Sequence, residues 1–302
     1  MAIKYLENKY INYKKWDKCI NRSFNGIVYA YSWYLDIVSD DWDALVSGNY
    51  EAVMPLPIKK KFGFKYIYQP SYTQQLGVFS TGKLDSKMVL EFLKQIPADF
   101  KYVQTSLNTF NALESQDFNL EKKVTYQLDL IKPYELIYRG YSTNTKRNIK
   151  KAIKNKIFIT KGLAVNDLIE MRRRNPVVKL TEEHYNTMRK IISFALLHKV
   201  GACYGAYSDR NNLIAAAFFI TSHNKSIFLI SVSSAEGKEK RAMFYILDYF
   251  IKIHAENPVI LDFEGSMIES LARFFSGFGA KACNYLSVSQ NRLPWPLKLL
   301  KK

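Results

Sequence analysis

Two acidic residues near the C-terminus, Asp262 and Glu264, have the type and spacing needed to move a proton. The run Val259–Phe263 predicts a short buried strand, in which alternate side chains share a face. A carboxylate at the end of such a strand, next to Gly265, is well placed to orient an amine or to take its proton. The alternative is that these acids bond neighbouring loops or pair with basic residues.

The segment Ser231–Met243 has residues suited to binding a phosphorylated cofactor. It predicts the end of a strand and the start of a long helix over Glu236–Ala255, and backbone N–H groups at a helix N-terminus attract anions. The candidate cofactor-binding residues are Ser234, Gly237, Lys238, Lys240, Arg241 and Ala242. The alternative is a solvated first turn that binds nothing.

A second basic segment, Ser142–Lys156, predicts a helix capped by Ser142 or Thr143. It contains no acidic residue to offset the repulsion among its lysines and arginines. Such a face can neutralise the phosphates of an RNA or of an acyl donor. The candidate residues for this contact are Lys146, Arg147 and Lys150, and the alternative is again a solvated helix.

The loop Tyr68–Gly77 is polar and aromatic and joins two predicted strands. Gln74 and Gln75 can both donate and accept hydrogen bonds, which suits recognition of a substrate amide. The alternative is an ordinary loop with stacked tyrosines. We therefore expect either a substrate contact or a purely structural loop here.

The elements that must position these residues predict an α/β fold in two parts. Strands, among them Trp42–Ser47, and one helix fill the first part, and Lys132-Pro133 interrupts the pattern. The second part reads as helices, three antiparallel strands, a helix, a strand, a helix and a strand. We predict a division into residues 1–133 and 134–302, with the cofactor site in the second domain.

Composition limits the functional classes. The 302 residues carry a formal charge of +17, which attracts anions such as a phosphorylated cofactor, an RNA or a membrane surface. Three separated cysteines and four histidines form no metal-ligand pattern, so we expect no metal and a reducing, cytoplasmic setting. No apolar run is long enough to span a bilayer, and the first residues do not form a signal peptide.

Two segments resemble the FemAB-like branch of the GNAT acyltransferase superfamily. Residues 142–152, Ser-Thr-Asn-Thr-Lys-Arg-Asn-Ile-Lys-Lys-Ala, look like a helix motif of this branch. Residues 262–266, Asp-Phe-Glu-Gly-Ser, followed by residues 271–280, resemble its C-terminal strand and helix. The order of predicted elements agrees over nearly the whole chain.

The resemblance implies two tandem GNAT-like domains, each a mostly antiparallel twisted sheet flanked by helices. It implies transfer from acyl-CoA, such as acetyl-CoA, or from aminoacyl-tRNA to a peptidoglycan precursor or another amine. Lys146 and Arg147 would then lie near donor phosphates, and Glu264 would lie in the cleft of the second domain. The GNAT signature Gln/Arg-x-x-Gly-x-Gly/Ala is altered here, because Arg241-Ala242 occupies the place of the glycine pair.

The predicted mechanism is direct attack of the amine on the donor carbonyl, with Asp262 or Glu264 as the base. A backbone N–H would stabilise the oxyanion. No serine or cysteine has a visible base partner, so we expect no covalent enzyme intermediate. The alternatives are a non-enzymatic RNA-binding module and a degenerate GNAT scaffold that binds partners.

Overall fold

The computed structural model describes residues 2–61, 63–265, 267–295 and 298. Its strands are β1 (Ile3–Leu6), β2 (Trp42–Ser47), β3 (Ala52–Lys61), β4 (Phe64–Ile67), β5 (Phe79–Ser80), β6 (Phe100–Ser106), β7 (Asn119–Asp129), β8 (Phe158–Lys161), β9 (Gly201–Tyr207), β10 (Leu213–Ser222), β11 (Lys225–Ser233), β12 (Ile260–Gly265) and β13 (Lys281–Asn291). Its α-helices are α1 (Tyr13–Arg22), α2 (Ser32–Val38), α3 (Ser86–Lys94), α4 (Tyr134–Arg139), α5 (Thr143–Lys154), α6 (Val165–Arg174), α7 (Glu182–Leu197), α8 (Ala235–Glu239), α9 (Ala242–His254) and α10 (Glu269–Ser276).

The chain forms two compact units. Unit 1 comprises Met1–Val124 with Asn284–Lys302, and unit 2 comprises Thr125–Cys283. Both changes of unit fall inside a strand, β7 or β13, rather than at Pro133. The division into folding domains at 133/134 stays a prediction, but the C-terminal segment packs with unit 1.

In unit 1 the strand order is β1-β2-β3-β4-β6-β13, and β5 pairs with β3. The pairings are antiparallel except between β4 and β6, which run parallel. The apolar face of α3 packs on this sheet through Val89, Phe92 and Leu93, all fully buried. Asp85 caps α3 by accepting a hydrogen bond from the backbone N–H of Met88.

In unit 2 the strand order is β8-β9-β10-β11-β12-β7. Only β11 and β12 are parallel, so the sheet is mostly antiparallel, as predicted. Alternate residues of β10, including Ala217 and Phe219, pack with α5 and α9, while Phe218 and Ile220 between them are also buried. The sheet is therefore covered on both faces, and α6 and α7 contact strands β9 to β11.

Helix α5 begins where the sequence predicts it. The Ser142 side chain accepts a hydrogen bond from the N–H of Thr145, which fixes the N-terminus of the helix. The preceding backbone is held as well, because Ser142 N–H donates to the carbonyl of Gly277 at 2.8 Å. The basic helix is thereby anchored beside the end of α10.

The predicted helix over Glu236–Ala255 is wrong as a single element. The structure has α8 and α9 in its place, separated at Arg241, whose φ is +65°. Gly237 in α8 packs closely, since a Cβ on it would lie 2.0 Å from the carbonyl oxygen of Ile214. Ser266 lies outside the described residues, and the last helix, α10, begins at Glu269.

Candidate active site

The parallel strands β11 and β12 separate after a short paired stretch. They pair at Lys225 with Ile260, at Ser226 with Leu261 and at Ile227 with Asp262. Among the described residues, their pairing ends there. Beyond that point β11 remains paired with β10 up to Ser233, and β12 lies beside β7. We name the stretches Phe228–Ser233 and Phe263–Gly265, which do not pair with each other among the described residues, the strand gap; their Phe228 and Phe263 rings lie 6.5 Å apart.

The β11 side of the strand gap carries a β-bulge. Ile230 pairs with Phe218 and Phe228 pairs with Phe219, so Leu229 is an extra residue opposite β10. The extra residue of a bulge is left out of the ladder of hydrogen bonds. A backbone N–H near Leu229 is therefore a candidate donor to a negatively charged oxygen in the gap.

The β12 side carries a second irregularity. Asp262 pairs with Gln127 and Gly265 with Thr125, so two residues of β12 lie opposite one residue of β7. One of the two is Glu264, whose φ of +60° is uncommon for any residue other than glycine. Backbone conformations of this kind cluster at functional sites. Glu264 is half-buried at the end of the strand.

Asp262 is held by a network that fixes this irregularity. Its side chain is 3% exposed and accepts hydrogen bonds from the Thr125 hydroxyl, from Gln127 Nε2 at 2.8 Å and from the N–H of Glu264 at 2.9 Å. Lys225 Nζ lies 3.6 Å from its Oδ2, which balances the buried charge. Asp262 thus acts on the conformation of Glu264, and its predicted role as a base stays a prediction.

Lys225 was missed by sequence reasoning. It lies at the start of β11, just after the turn His223–Asn224, and looks there like a solvated turn residue. Its side chain is only 12% exposed, because the fold brings it to Asp262 on the neighbouring strand. The one signal in the sequence was Asp262 itself, an acid in an otherwise apolar strand, since a buried carboxylate requires a partner.

At the far end of β11, Ser234 begins α8. Its hydroxyl accepts a hydrogen bond from Gly237 N–H at 3.0 Å and donates to the carbonyl of Ile214 at 3.1 Å. The Gly237 N–H is thereby used inside the protein. Lys240 is also occupied, because its Nζ lies 2.8 Å from Glu236 and 3.2 Å from Asp209. These two carboxylates raise the pKa of Lys240 above its ordinary value, chiefly through the hydrogen bond to Glu236.

Helix α9 offers a better-placed N-terminus for an anion. Its N-cap residue is Arg241, whose side chain makes no capping hydrogen bond, and Ala242 is its fully buried first residue. Lys238 and Arg241 are both exposed beside this helix start. Of the predicted cofactor-binding residues, these three lie where a phosphate would meet an uncapped helix dipole. Cofactor binding by the whole set stays a prediction.

The start of α8 lies just beyond the β11 end of the strand gap, and α9 follows after Arg241. Ser234 follows Ile227, the last paired residue of β11, by seven positions, a span of about 20 Å in an extended strand. Glu264 follows Asp262, the partner of Ile227, by two positions. The predicted acids and the predicted phosphate site therefore lie at different positions along the strand gap and are not in direct contact.

The predicted phosphate contacts on α5 have mixed surroundings. Lys146 Nζ donates to the carbonyl of Arg139 at 2.9 Å and lies 5.5 Å from the centre of the Tyr138 ring. Arg147 donates to the Asn144 side chain at 3.0 Å, and Lys150 is exposed. Arg147 and Lys150 are thus displayed on the surface, whereas Lys146 is engaged at the start of the helix. Their contact with a donor stays a prediction.

Gln74 and Gln75 lie in unit 1 and use their amides internally. Gln75 is 1% exposed, donates to Gln74 Oε1 at 2.7 Å and accepts from the N–H of Thr109 at 3.1 Å. These contacts hold the loop that the sequence suggested as a substrate site. They match the structural alternative, and a substrate contact by either residue stays a prediction.

Two further findings concern metals and membranes. In the part of the chain that the structure describes, no group of three or more His, Cys, Asp or Glu side chains is arranged to hold a metal ion. No helix within the described ranges combines the length and the apolar content needed to cross a membrane.

The divergent parallel strands, the bulge in β11 and the helix after it define the GNAT fold, and the chain has this fold in the tandem form. It is similar to the crystal structure of FemX over 100% of both chains, with a TM-score of 0.66 and 12% sequence identity. This agrees with the predicted resemblance to the FemAB-like branch at the level of fold.

Two further solved structures share the fold. The C-terminal domain of a putative lysylphosphatidylglycerol synthetase from Agrobacterium fabrum matches with a TM-score of 0.55 and 10% identity, over 95% of this chain and 94% of that one. A tandem GNAT protein from the clavulanic acid biosynthesis pathway matches with a TM-score of 0.53 and 10% identity, over 97% and 99%. No protein-family model matches the sequence, and no curated protein does either.

Proposed function

We propose that this chain is an N-acyltransferase whose reaction takes place at the strand gap of unit 2. It transfers an acetyl or aminoacyl group from acyl-CoA or aminoacyl-tRNA to an amine. The observation that carries the proposal is the coincidence of three features: two parallel strands that part, a bulge at Leu229 on one side and the strained Glu264 on the other. Each supplies a different requirement of acyl transfer.

The reaction is a direct transfer. The nitrogen of the acceptor amine attacks the carbonyl carbon of the donor, and the new C–N bond forms while the carbonyl oxygen becomes negatively charged. A backbone N–H of the bulge at Leu229 stabilises this oxygen. Glu264 takes the proton from the amine, the C–S or C–O bond of the donor breaks, and the leaving thiolate or hydroxyl oxygen takes up a proton.

The donor phosphates are assigned to the start of α9. The exposed Lys238 and Arg241 precede this helix, and α8 follows β11 directly, so a donor phosphate there would leave the strand gap for the acyl end. Arg147 and Lys150 on α5 supply further positive charge for a larger donor such as tRNA. The proposal keeps acyl-CoA and aminoacyl-tRNA as the two candidate donors. It also includes a peptidoglycan precursor as the acceptor and the cytoplasm as the location.

Ligand-induced stabilisation tests the donor site. A ligand that binds only the native protein raises the melting temperature by mass action, so acetyl-CoA, a longer acyl-CoA and tRNA are compared one by one. We expect a rise with at least one donor and a smaller rise in Arg241→Glu. The matched control is Arg210→Glu, an exposed arginine in the turn between β9 and β10. No rise with any donor, or equal losses in both variants, would contradict the proposed site.

The exposed basic face of α5 favours a second candidate, a non-enzymatic RNA-binding module. Arg147 and Lys150 are exposed on a helix without a single acid. Such a module would bind RNA with a steep dependence on salt and would transfer nothing. Single-turnover transfer of a labelled aminoacyl or acetyl group to a panel of amines separates the two, because only the transferase yields product.

A further inference from the structure

The connection between α6 and α7 presents two apolar side chains to solvent. Val177 is 74% exposed and Val178 is 58% exposed, and both follow the exposed Pro176. A lone exposed apolar residue needs no explanation, but adjacent exposed valines form a small apolar patch, which borders a hollow that Arg173, Glu182 and Tyr185 also line. We name residues 176–179 the valine loop.

Cations flank the two valines on both sides. Arg174 precedes the valine loop, Lys179 is its last residue, both are exposed, and Arg172 lies earlier on α6. The connection itself, residues 175–181, holds no acid; Glu170 and Glu182 on the flanking helices pair with Arg173, and Glu183 is exposed at the start of α7. The charge beside the two valines themselves is therefore positive.

Side-chain contacts join the two ends of the connection that carries the valine loop. Arg173 forms a two-pronged salt bridge with Glu182, lies near Glu170 at 3.5 Å and stacks over the Tyr185 ring at 4.4 Å. These contacts tie the end of α6 to the start of α7, on either side of the valines.

We propose that the valine loop docks onto the surface of an anionic lipid bilayer. Two valines can enter the boundary between head groups and acyl chains, while Arg172, Arg174 and Lys179 meet the negative head groups. A nucleic acid fits less well, because the valine loop has no aromatic side chain on which a base could stack. This surface is independent of the strand gap and of the reaction proposed for it.

Vesicle co-sedimentation tests the apolar part of the surface. The full chain is mixed with vesicles of phosphatidylcholine alone or with phosphatidylglycerol added, and we expect binding only to the anionic vesicles. Val177→Ser combined with Val178→Ser is expected to weaken that binding about tenfold, because two apolar side chains no longer enter the interface. The matched control is Leu197→Ser, which removes a 77% exposed apolar side chain at the other end of α7.

Charge removal tests the second part of the surface. Arg174→Ser with Lys179→Ser is expected to weaken vesicle binding by about fivefold for each cation lost. Lys83→Ser with Lys87→Ser removes two exposed lysines from unit 1 and is the charge-matched control. A Val178→Trp variant should also show a blue shift of tryptophan fluorescence on anionic vesicles.

Several results would overturn the proposal. One is the absence of binding to anionic vesicles, and another is a valine variant that binds as tightly as the parent chain. Equal losses in the loop variants and their controls would show general charge attraction only. Loop variants that lose RNA binding and keep vesicle binding would assign the loop to a nucleic acid. None of these results depends on acyl transfer, so the proposed reaction would stand or fall separately.

Discussion

Units 1 and 2 each contain one parallel pair of strands, and the two pairs end differently. In unit 1, β4 and β6 pair from Lys65 to Ile67. The chain then closes over the end of this pair, because Leu76 forms a bridge with Leu107 and its N–H donates to Ser106 at 2.7 Å. In unit 2, β11 and β12 also pair over three positions, and the strand gap lies beyond them.

The polar groups at the two places also differ. In unit 1 they are neutral side-chain amides that bond the backbone. Asn111 bonds both the N–H and the carbonyl of Val78, and Asn108 donates to the carbonyl of Leu76. In unit 2 they are a buried ion pair and the strained Glu264. The same local pairing is thus followed by a bridge in unit 1 and by strand ends that stay unpaired among the described residues in unit 2, which is why we assign the proposed reaction to unit 2.

The largest expected effect on the free energy of unfolding comes from breaking the ion pair between Asp262 and Lys225. Asp262→Ala leaves the Lys225 ammonium, 12% exposed, without its partner and releases the Glu264 N–H. We expect a loss of about 3–5 kcal/mol in the free energy of unfolding, measured by urea denaturation. Asp117→Ala removes the partner of Lys94 in an exposed pair and should cost less than about 1 kcal/mol. Equal losses in the two variants would mean that the Asp262 network does not hold unit 2.

Glu264→Gln tests the base and sharpens the comparison of the two units. The amide keeps the shape of the side chain and cannot accept the amine proton, so the transfer rate should fall by about 100-fold or more. Donor binding, measured as the rise in melting temperature, should remain. The control is Glu269→Gln, an exposed glutamate paired with Arg273 on α10. A Glu264→Gln enzyme of unchanged rate across the pH range would remove Glu264 from the reaction.

In unit 1 the expected effect is on stability alone. Asn111→Ala leaves the buried N–H of Val78 without its acceptor at 2.7 Å, which should cost about 1–3 kcal/mol of unfolding free energy. Asn119→Ala, at an exposed position, should cost much less. The donor-induced rise in melting temperature should be the same in both variants. If Asn111→Ala abolished the donor-induced rise instead, the segment that Asn111 holds in unit 1 would belong to the donor site.

The smallest expected effect is a dependence of stability on pH that arises from Asp248 in unit 2. Burial raises the pKa of Asp248 above its ordinary value, and the hydrogen bond from Tyr134 at 2.9 Å only partly opposes this. Because the folded pKa is the higher one, the folded chain binds the proton more tightly, and stability falls as pH rises from about 4 through the raised pKa. Asp248→Asn should remove this fall, so its stability relative to the parent should increase over that window. A difference that does not vary with pH would contradict the raised pKa.

Local signals were read correctly from the sequence. The strand Trp42–Ser47 has the predicted bounds, and Ser142 caps the basic helix, because each depends on residues a few positions apart. The tandem fold also agrees with the predicted order of elements, since that order rests on periodicity within each segment.

The parts that were missed depend on distant residues. The predicted single helix over Glu236–Ala255 breaks at Arg241, and Gly237 in α8 packs against the Ile214 carbonyl of β10. The partners of Asp262 come from β7 and β11, and Thr125 is 137 positions away in the sequence. The segment after Cys283 joins unit 1, because β13 pairs with β6 through Ser287 and Ser106.

By itself, the sequence determined the kinds of element, the caps, the strong positive charge and the two acids that could serve the reaction. Only the tertiary structure decided that Asp262 is buried and bonded and that Glu264 is half-buried in an irregularity of its strand. The reason is physical: periodicity and capping act within a few residues, whereas burial, strand register and bulges are set by partners that folding brings together.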